Sequence, residues 1–160
     1  MKRWCAFFLS LALLFSLSGC ARHPDAKGAA ENVISALSLP AGQLYVPSAL
    51  SHEEGYLSPS LRLALFGEEG ERLFSSAEDG ALFLGLSAEE PLEFALFRFP
   101  THALARRSAG IFSARLSLLR RLCPTAQSLI GAGVWIFGTW AIYTVLPDNE
   151  GARNALARLL

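Results

Sequence analysis

The chain has 160 residues, 52% of them apolar and 18% charged, with a formal net charge of zero and a mean hydropathy of +0.34. A disordered protein needs low hydrophobicity and high net charge, so that class is excluded. A nucleic-acid binder would show a basic excess, which is missing here. The length suits one domain, and apolarity this high means either membrane association or an unusually large core.

The N-terminus explains part of the apolarity. Lys2 and Arg3 precede the uncharged run Trp4 to Leu17, 14 residues long. A spanning helix needs about 20 apolar residues, so the run reads as the h-region of a signal peptide. It ends in Leu17-Ser18-Gly19-Cys20. This resembles the lipobox of bacterial lipoproteins: an aliphatic residue, two small residues and then cysteine. The resemblance implies that residues 1–19 are a lipoprotein signal peptide and that the Cys20 thiol takes a diacylglyceryl group by thioether formation. It also implies a palmitate-type lipid anchor on the extracytoplasmic face of a cell membrane. Residues 20–24 are then a short tether and residues 25–160 a single domain, with 12 basic and 14 acidic residues from Cys20 onward. Cys123 would be the one unmodified cysteine left, unable to form an intramolecular disulfide, and it reads as a small buried hydrophobe.

Along the chain, Asp25 caps a helix that runs to about Leu37, with Ala26, Ala30, Val33, Ile34 and Leu37 on one face. Residues 39–54 contain Pro40, Gly42 and Pro47 and read as a loop, with a short extended piece at Leu44-Tyr45-Val46. Ser58-Pro59 starts a second helix that Gly67 stops. Residues 68–80 look acidic and turn-like. Ala81–Leu86 and Leu92–Phe99 form a hairpin whose second strand is apolar on both faces, and hence central. Thr101 caps the longest helix, which reaches about Leu122 before Pro124. Residues 129–146 carry 18 uncharged residues, long enough for a membrane span. Gly131, Gly133 and Gly138 among β-branched and aromatic residues favour a hairpin turning at Phe137-Gly138-Thr139-Trp140 instead. Pro147-Asp148-Asn149 opens a last helix, with Arg158 near its end. The fold expected is α+β, a four-stranded, mostly antiparallel sheet made of two hairpins with helices packed on it.

Beyond the lipobox, residues 27–160 resemble a family of small Gram-positive lipoproteins defined only as a domain of unknown function. Leu57-Ser58-Pro59 through Leu65-Phe66-Gly67 carry the resemblance, with Glu93-Phe94-Ala95-Leu96-Phe97-Arg98, Ala114-Arg115-Leu116 and Tyr143-Thr144-Val145-Leu146-Pro147-Asp148. It implies an extracytoplasmic, lipid-anchored α+β domain and assigns no catalytic residue.

Chemistry-bearing motifs are sparse. His23, His52 and His102 lack the spacing of a zinc site, and no GxSxG elbow, P-loop or GxGxxG occurs. No cofactor, metal, nucleic-acid partner or enzymatic activity is expected. The acidic cluster Glu68, Glu69, Glu71, Glu78, Asp79, Glu89, Glu90 and Glu93 reads as a solvated face. Charge is nevertheless segregated: residues 53–93 hold ten acidic and two basic side chains, whereas residues 94–121 hold six Arg and no acid. Internal pairing would produce this if Arg98 or Arg115 meets an acid across the fold; Arg115 falls near the apolar face of its helix. A functional cause would be a ridge of Arg106, Arg107, Arg120 and Arg121 that touches anionic lipid headgroups or wall polymers. The expected function is a lipid-anchored, non-enzymatic binding or accessory module whose partner is an envelope protein or anionic polymer. The alternatives are a hydrolase-like enzyme with a dispersed site, or an assembly protein that uses the apolar hairpin 129–146.

Overall fold

A computed structural model describes residues 25–87 and 90–160. The expected signal peptide, the lipobox with Cys20, the tether residues 20–24, His23 and Glu89 lie outside the described residues. The elements are α1 (Ala26–Ala36), β1 (Gly42–Tyr45), α2 (Pro59–Phe74), β2 (Asp79–Gly85), β3 (Glu93–Arg98), α3 (His102–Leu122), a 3-10 turn (Gln127–Leu129), β4 (Gly133–Phe137), β5 (Trp140–Val145) and α4 (Asn149–Leu159).

Side-chain caps set the helix starts. Asp25 accepts from the Gly28 N–H at 2.7 Å, Ser58 from Leu61 at 3.1 Å, Thr101 from Leu104 at 3.3 Å and Asp148 from Gly151 at 2.8 Å. Each satisfies an amide that the first helical turn leaves without a partner. The second helix departs from expectation. Gly67 does break it, at φ 72° and ψ −179°, but the chain resumes helix and continues to Phe74. Arg62, before the break, reaches Glu71 after it at 3.4 Å and donates to the Leu57 carbonyl at 2.8 Å. The kink is therefore held in a fixed shape.

The strands make one antiparallel sheet in the order β1-β2-β3-β5-β4. The class is α+β, as expected, but the sheet has five strands and not four. The extra strand is β1, which lies in the stretch read as a loop and includes Leu44 and Tyr45 of the short extended piece expected there. Four residues are too few to show a period, and it forms because Leu44 lies opposite Phe83 and Tyr45 opposite Leu82. The stretch 129–146 is a hairpin and not a span. Gly138 sits at φ 57°, the conformation that the first residue of a Gly-first two-residue turn requires. Among the described residues, no helix is long and apolar enough to cross a membrane.

Apolar side chains cover both faces of the sheet, which makes three layers. On one face Leu82, Ala95, Phe97, Ala141, Tyr143 and Val145 pack with α2 and α3 through Leu73, Phe74, Phe112 and Leu116. Phe74 and Phe112 stack there with ring centroids 5.0 Å apart. On the other face Ala81, Phe83, Phe94, Leu96 and Ile142 meet Ala26, Ala30 and Val33 of α1 and Ala152 and Leu156 of α4. β3 is central, and its Phe94 and Leu96 face one layer while Ala95 and Phe97 face the other. The two-sided apolarity of that strand has this cause.

Candidate functional site

The four arginines expected to form a ridge all stand exposed on α3, but they are not one surface. At about 100° per residue, Arg106 and Arg120 fall within about 40° of each other around the helix, whereas Arg107 turns about 100° away from Arg106. Arg107 leans over α2, and its Nε donates to Glu69 at 2.8 Å. Arg120 donates to the Ala132 carbonyl at 3.2 Å, which fastens the end of α3 beside the start of β4. Arg106 and Arg121 make no ion pair or hydrogen bond among the described residues. The ridge thus reduces to two uncommitted cations.

Internal pairing accounts for much of the charge segregation. Arg98 meets Glu78 at 3.5 Å and Arg107 meets Glu69, so the arginine-rich segment folds back onto the acidic one. Most of the described acids are engaged and do not form one solvated face. Asp79 accepts from the Ala26 N–H, Glu71 meets Arg62, and Glu90 accepts from the Ser128 N–H.

The most buried pairing is a trio. The Glu93 side chain is 6% exposed and that of Arg115 17%. Arg115 approaches the carboxylate with two nitrogens, Nε to Oε1 at 3.0 Å and Nη2 to Oε2 at 3.2 Å. Tyr143, fully buried on β5, donates its hydroxyl to Glu93 Oε1 at 2.6 Å. Burial, and then the Glu93 charge and hydrogen bond, push the phenol far above its ordinary range. Burial works to lower the Arg115 guanidinium, but its bond to Glu93 and the Glu93 charge outweigh this and raise it. What the trio does is tie α3 to the two central strands.

Asn149 is a second polar hub, and its composition gave no sign of it. Its Oδ1 accepts from Thr144 Oγ1 at 2.8 Å and from the Leu146 N–H at 3.0 Å. Its Nδ2 lies 2.7 to 2.9 Å from the carbonyls of Leu146, Ser128 and Ile130. One side chain thereby joins β5, α4 and the loop that leads into β4.

His52 and His102 are exposed and far apart in the chain, and among the described residues no three His, Cys, Asp or Glu side chains gather as metal ligands. Cys123, half-buried, caps α3 and packs against the α2–α3 core. One open cleft, of about 400 Å³, lies between α1 and the loop after β1 and is lined by Lys27, Glu31, Leu44, Glu53 and Glu54 among others. A second, of about 500 Å³, runs along β4 between α3 and Arg153 of α4. β4 is an edge strand, and Val134, Trp135, Ile136 and Phe137 are all only half-buried. This partly uncovered apolar edge belongs to the hairpin 129–146 that the sequence offers as an assembly surface; which of its two strands is the edge is not legible there. No family model, curated protein or solved structure matches the chain.

Proposed function

We propose that the protein is a lipid-anchored protein of the extracytoplasmic membrane face, and that its α+β body is a non-enzymatic binding or accessory module for another envelope component. The observation that carries this reading is Leu17-Ser18-Gly19-Cys20 placed directly after a basic and then an apolar run. The body begins five residues after Cys20, where Asp25 caps α1 and the Ala26 N–H is fastened to Asp79 of β2 at 2.8 Å. A link of that length reaches about 17 Å at full extension. The end of the sheet where α1 starts is therefore the membrane-proximal one. Asp79, Arg98 and Trp140 lie side by side there, next to the Gly138-Thr139 turn. Of the four candidate arginines, Arg106 is unpaired among the described residues and lies one turn into α3 from that end. It is the one placed for anionic headgroups, contributing about 1 kcal/mol near such a surface. Arg121 stands about 22 Å further along the helix, at the far end of the body.

The test is metabolic labelling. Cells grown with a tagged fatty acid should label the wild-type chain and not Cys20→Ala, and the variant should leave the membrane fraction. Labelling that persists in the variant sinks the reading. The half-exposed β4 favours a second reading, an assembly role for the hairpin 129–146.

A further inference from the structure

We propose that the β4 edge of the sheet is a docking site for an extended acidic segment of a partner protein, which pairs with β4 as an added strand. The inference rests on the binding-module reading and not on the lipid anchor.

Three observations converge on it. The first is the state of the edge. β4 pairs with β5 on one side only. The two-residue turn makes Phe137–Trp140, Trp135–Ile142 and Gly133–Thr144 the hydrogen-bonded pairs of the ladder. The alternate residues, Val134 and Ile136, then aim their N–H and C=O groups away from the sheet. Soluble proteins usually guard such an edge with charge, proline or a bulge, and Val134-Trp135-Ile136-Phe137 has none of these. The opposite edge is treated differently. Just past β1 the chain folds back on itself, with the Val46 N–H on the Gly55 carbonyl at 2.8 Å and the Leu57 N–H on the Val46 carbonyl at 3.3 Å.

The second is shape. The cleft along β4 is about 500 Å³, with Ala109, Gly110 and Ser113 of α3 as one wall and Arg153 of α4 at the other. A side chain added at Gly110 would meet nothing within 4 Å, so the α3 wall stands back from the strand. Val134 and Ile136 lean toward the α2–α3 layer, Trp135 and Phe137 toward the α1–α4 layer. An incoming strand would find apolar neighbours for alternate side chains on both faces, the usual basis of strand addition.

The third is charge, which selects the occupant. Among the described residues, the only charged one lining the cleft is Arg153, with its guanidinium carbon 5.7 Å from the centre of the Trp135 ring. Arg106 lies one turn before Ala109 and Gly110 on the same flank of α3. Arg120 is fixed beside the start of β4. Asp148 and Glu150 line the adjoining cleft, which shares Trp135 and Arg153 with this one, but Asp148 is occupied with the Gly151 amide and, among the described residues, neither acid forms an ion pair with Arg153. A second copy is the poorer occupant. Antiparallel pairing of two β4 edges would set two α3 helices side by side, Arg106 of one near Arg120 of the other. Like charges so placed disfavour that pairing.

The experiment follows amide hydrogen exchange by NMR in the full chain in a non-ionic detergent, with a capped seven-residue peptide that alternates Val and Glu as the probe. Without peptide, the Val134 and Ile136 amides should exchange fast and those of Trp135 and Phe137 slowly. The Val–Glu peptide should slow Val134 and Ile136 by about tenfold or more. A Val–Lys peptide should not, nor should a Val–Glu peptide N-methylated on the amides that would face β4. Ile136→Pro removes the outward-facing N–H and breaks no ladder hydrogen bond, although it also gives up the packing of the Ile136 side chain; Pro is tolerated on that side of an edge strand, so it should abolish the peptide effect. The methylated peptides decide the matter even if this variant is unstable. The proposal fails if millimolar Val–Glu peptide leaves both amides fast or if the Val–Lys peptide works equally well. It also fails if protection appears without peptide, either with rising protein concentration or on anionic mixed micelles; the occupant is then a second copy or the membrane. Loss of fatty-acid labelling has no bearing on any of these outcomes, so the two readings fail separately.

Discussion

At the scale of single residues, the Glu93–Arg115–Tyr143 trio is the sharpest commitment the fold makes. A carboxylate taken out of water is tolerable only when its partners remain. Tyr143→Phe removes the 2.6 Å hydrogen bond and should lower stability at neutral pH by about 1 to 3 kcal/mol. The same residue dictates an alkaline signature. Its pKa is raised in the folded state, so the folded chain keeps a proton that the unfolded chain loses above about pH 10. The stabilisation is complete below that pH and falls as pH rises, by about 1.4 kcal/mol per unit for one proton. Denaturant unfolding followed from pH 8 to 11 should show this loss in the wild type and a shallower one in Tyr143→Phe. Equal slopes would mean that the phenol is not held protonated by the fold. Arg115 could be read from the sequence as a paired, partly buried arginine because it lies near the apolar side of an otherwise amphipathic helix. Tyr143 could not: it is 50 residues from Glu93, inside a run of apolar residues where nothing marks its hydroxyl.

At the scale of elements, α2 shows where local rules stop. Ser58, Pro59 and Gly67 mark a start and a break, and both are where the residues place them. The half-helix after Gly67 is invisible to periodicity because its first residues, Glu68, Glu69 and Gly70, carry no apolar period; Leu73 and Phe74 arrive only at its end. Gly70 is buried; a Cβ there would collide with Phe66 of the same helix, across the kink, and would lie 3.3 Å from Ile111 of α3, so the glycine is required by the bend and by its packing on α3. Gly67→Ala meets open space around its Cβ, and its cost is purely that of the backbone at φ 72°. Conformations of that kind cost about 1 to 3 kcal/mol without glycine. Thermal unfolding should show Gly67→Ala destabilised by that amount, and an unchanged midpoint would mean that the kink straightens freely.

At the scale of the whole molecule, the residues of β3 and the hairpins announced an α+β sheet with a central strand, because a strand apolar on both faces must be covered from both sides. They did not announce which strand is the edge. β4 and β5 are equally apolar, yet β5 is almost entirely buried and β4 is not. That difference is created by the neighbours that strand order supplies, which no local window contains. The same holds for charge: the acid and arginine blocks meet only once α2, β2, β3 and α3 are stacked.

The fastening of Ala26 to Asp79 has a mechanical meaning. When Cys20 carries a lipid, tension between membrane and body enters the fold at this point. α1 grips the sheet through Ala26, Ala29, Ala30 and Val33, small side chains that offer little resistance to peeling. The strands beneath are knit by backbone ladders and yield later. With handles at residue 25 and at the Gly138 turn, force spectroscopy should show α1 and its following loop released as a separate low-force step. One rupture of the entire body would contradict this. On the proposed anchoring, the first helix acts as a shock absorber, and a tug on the anchor releases α1 and its loop before it disturbs the β4 edge.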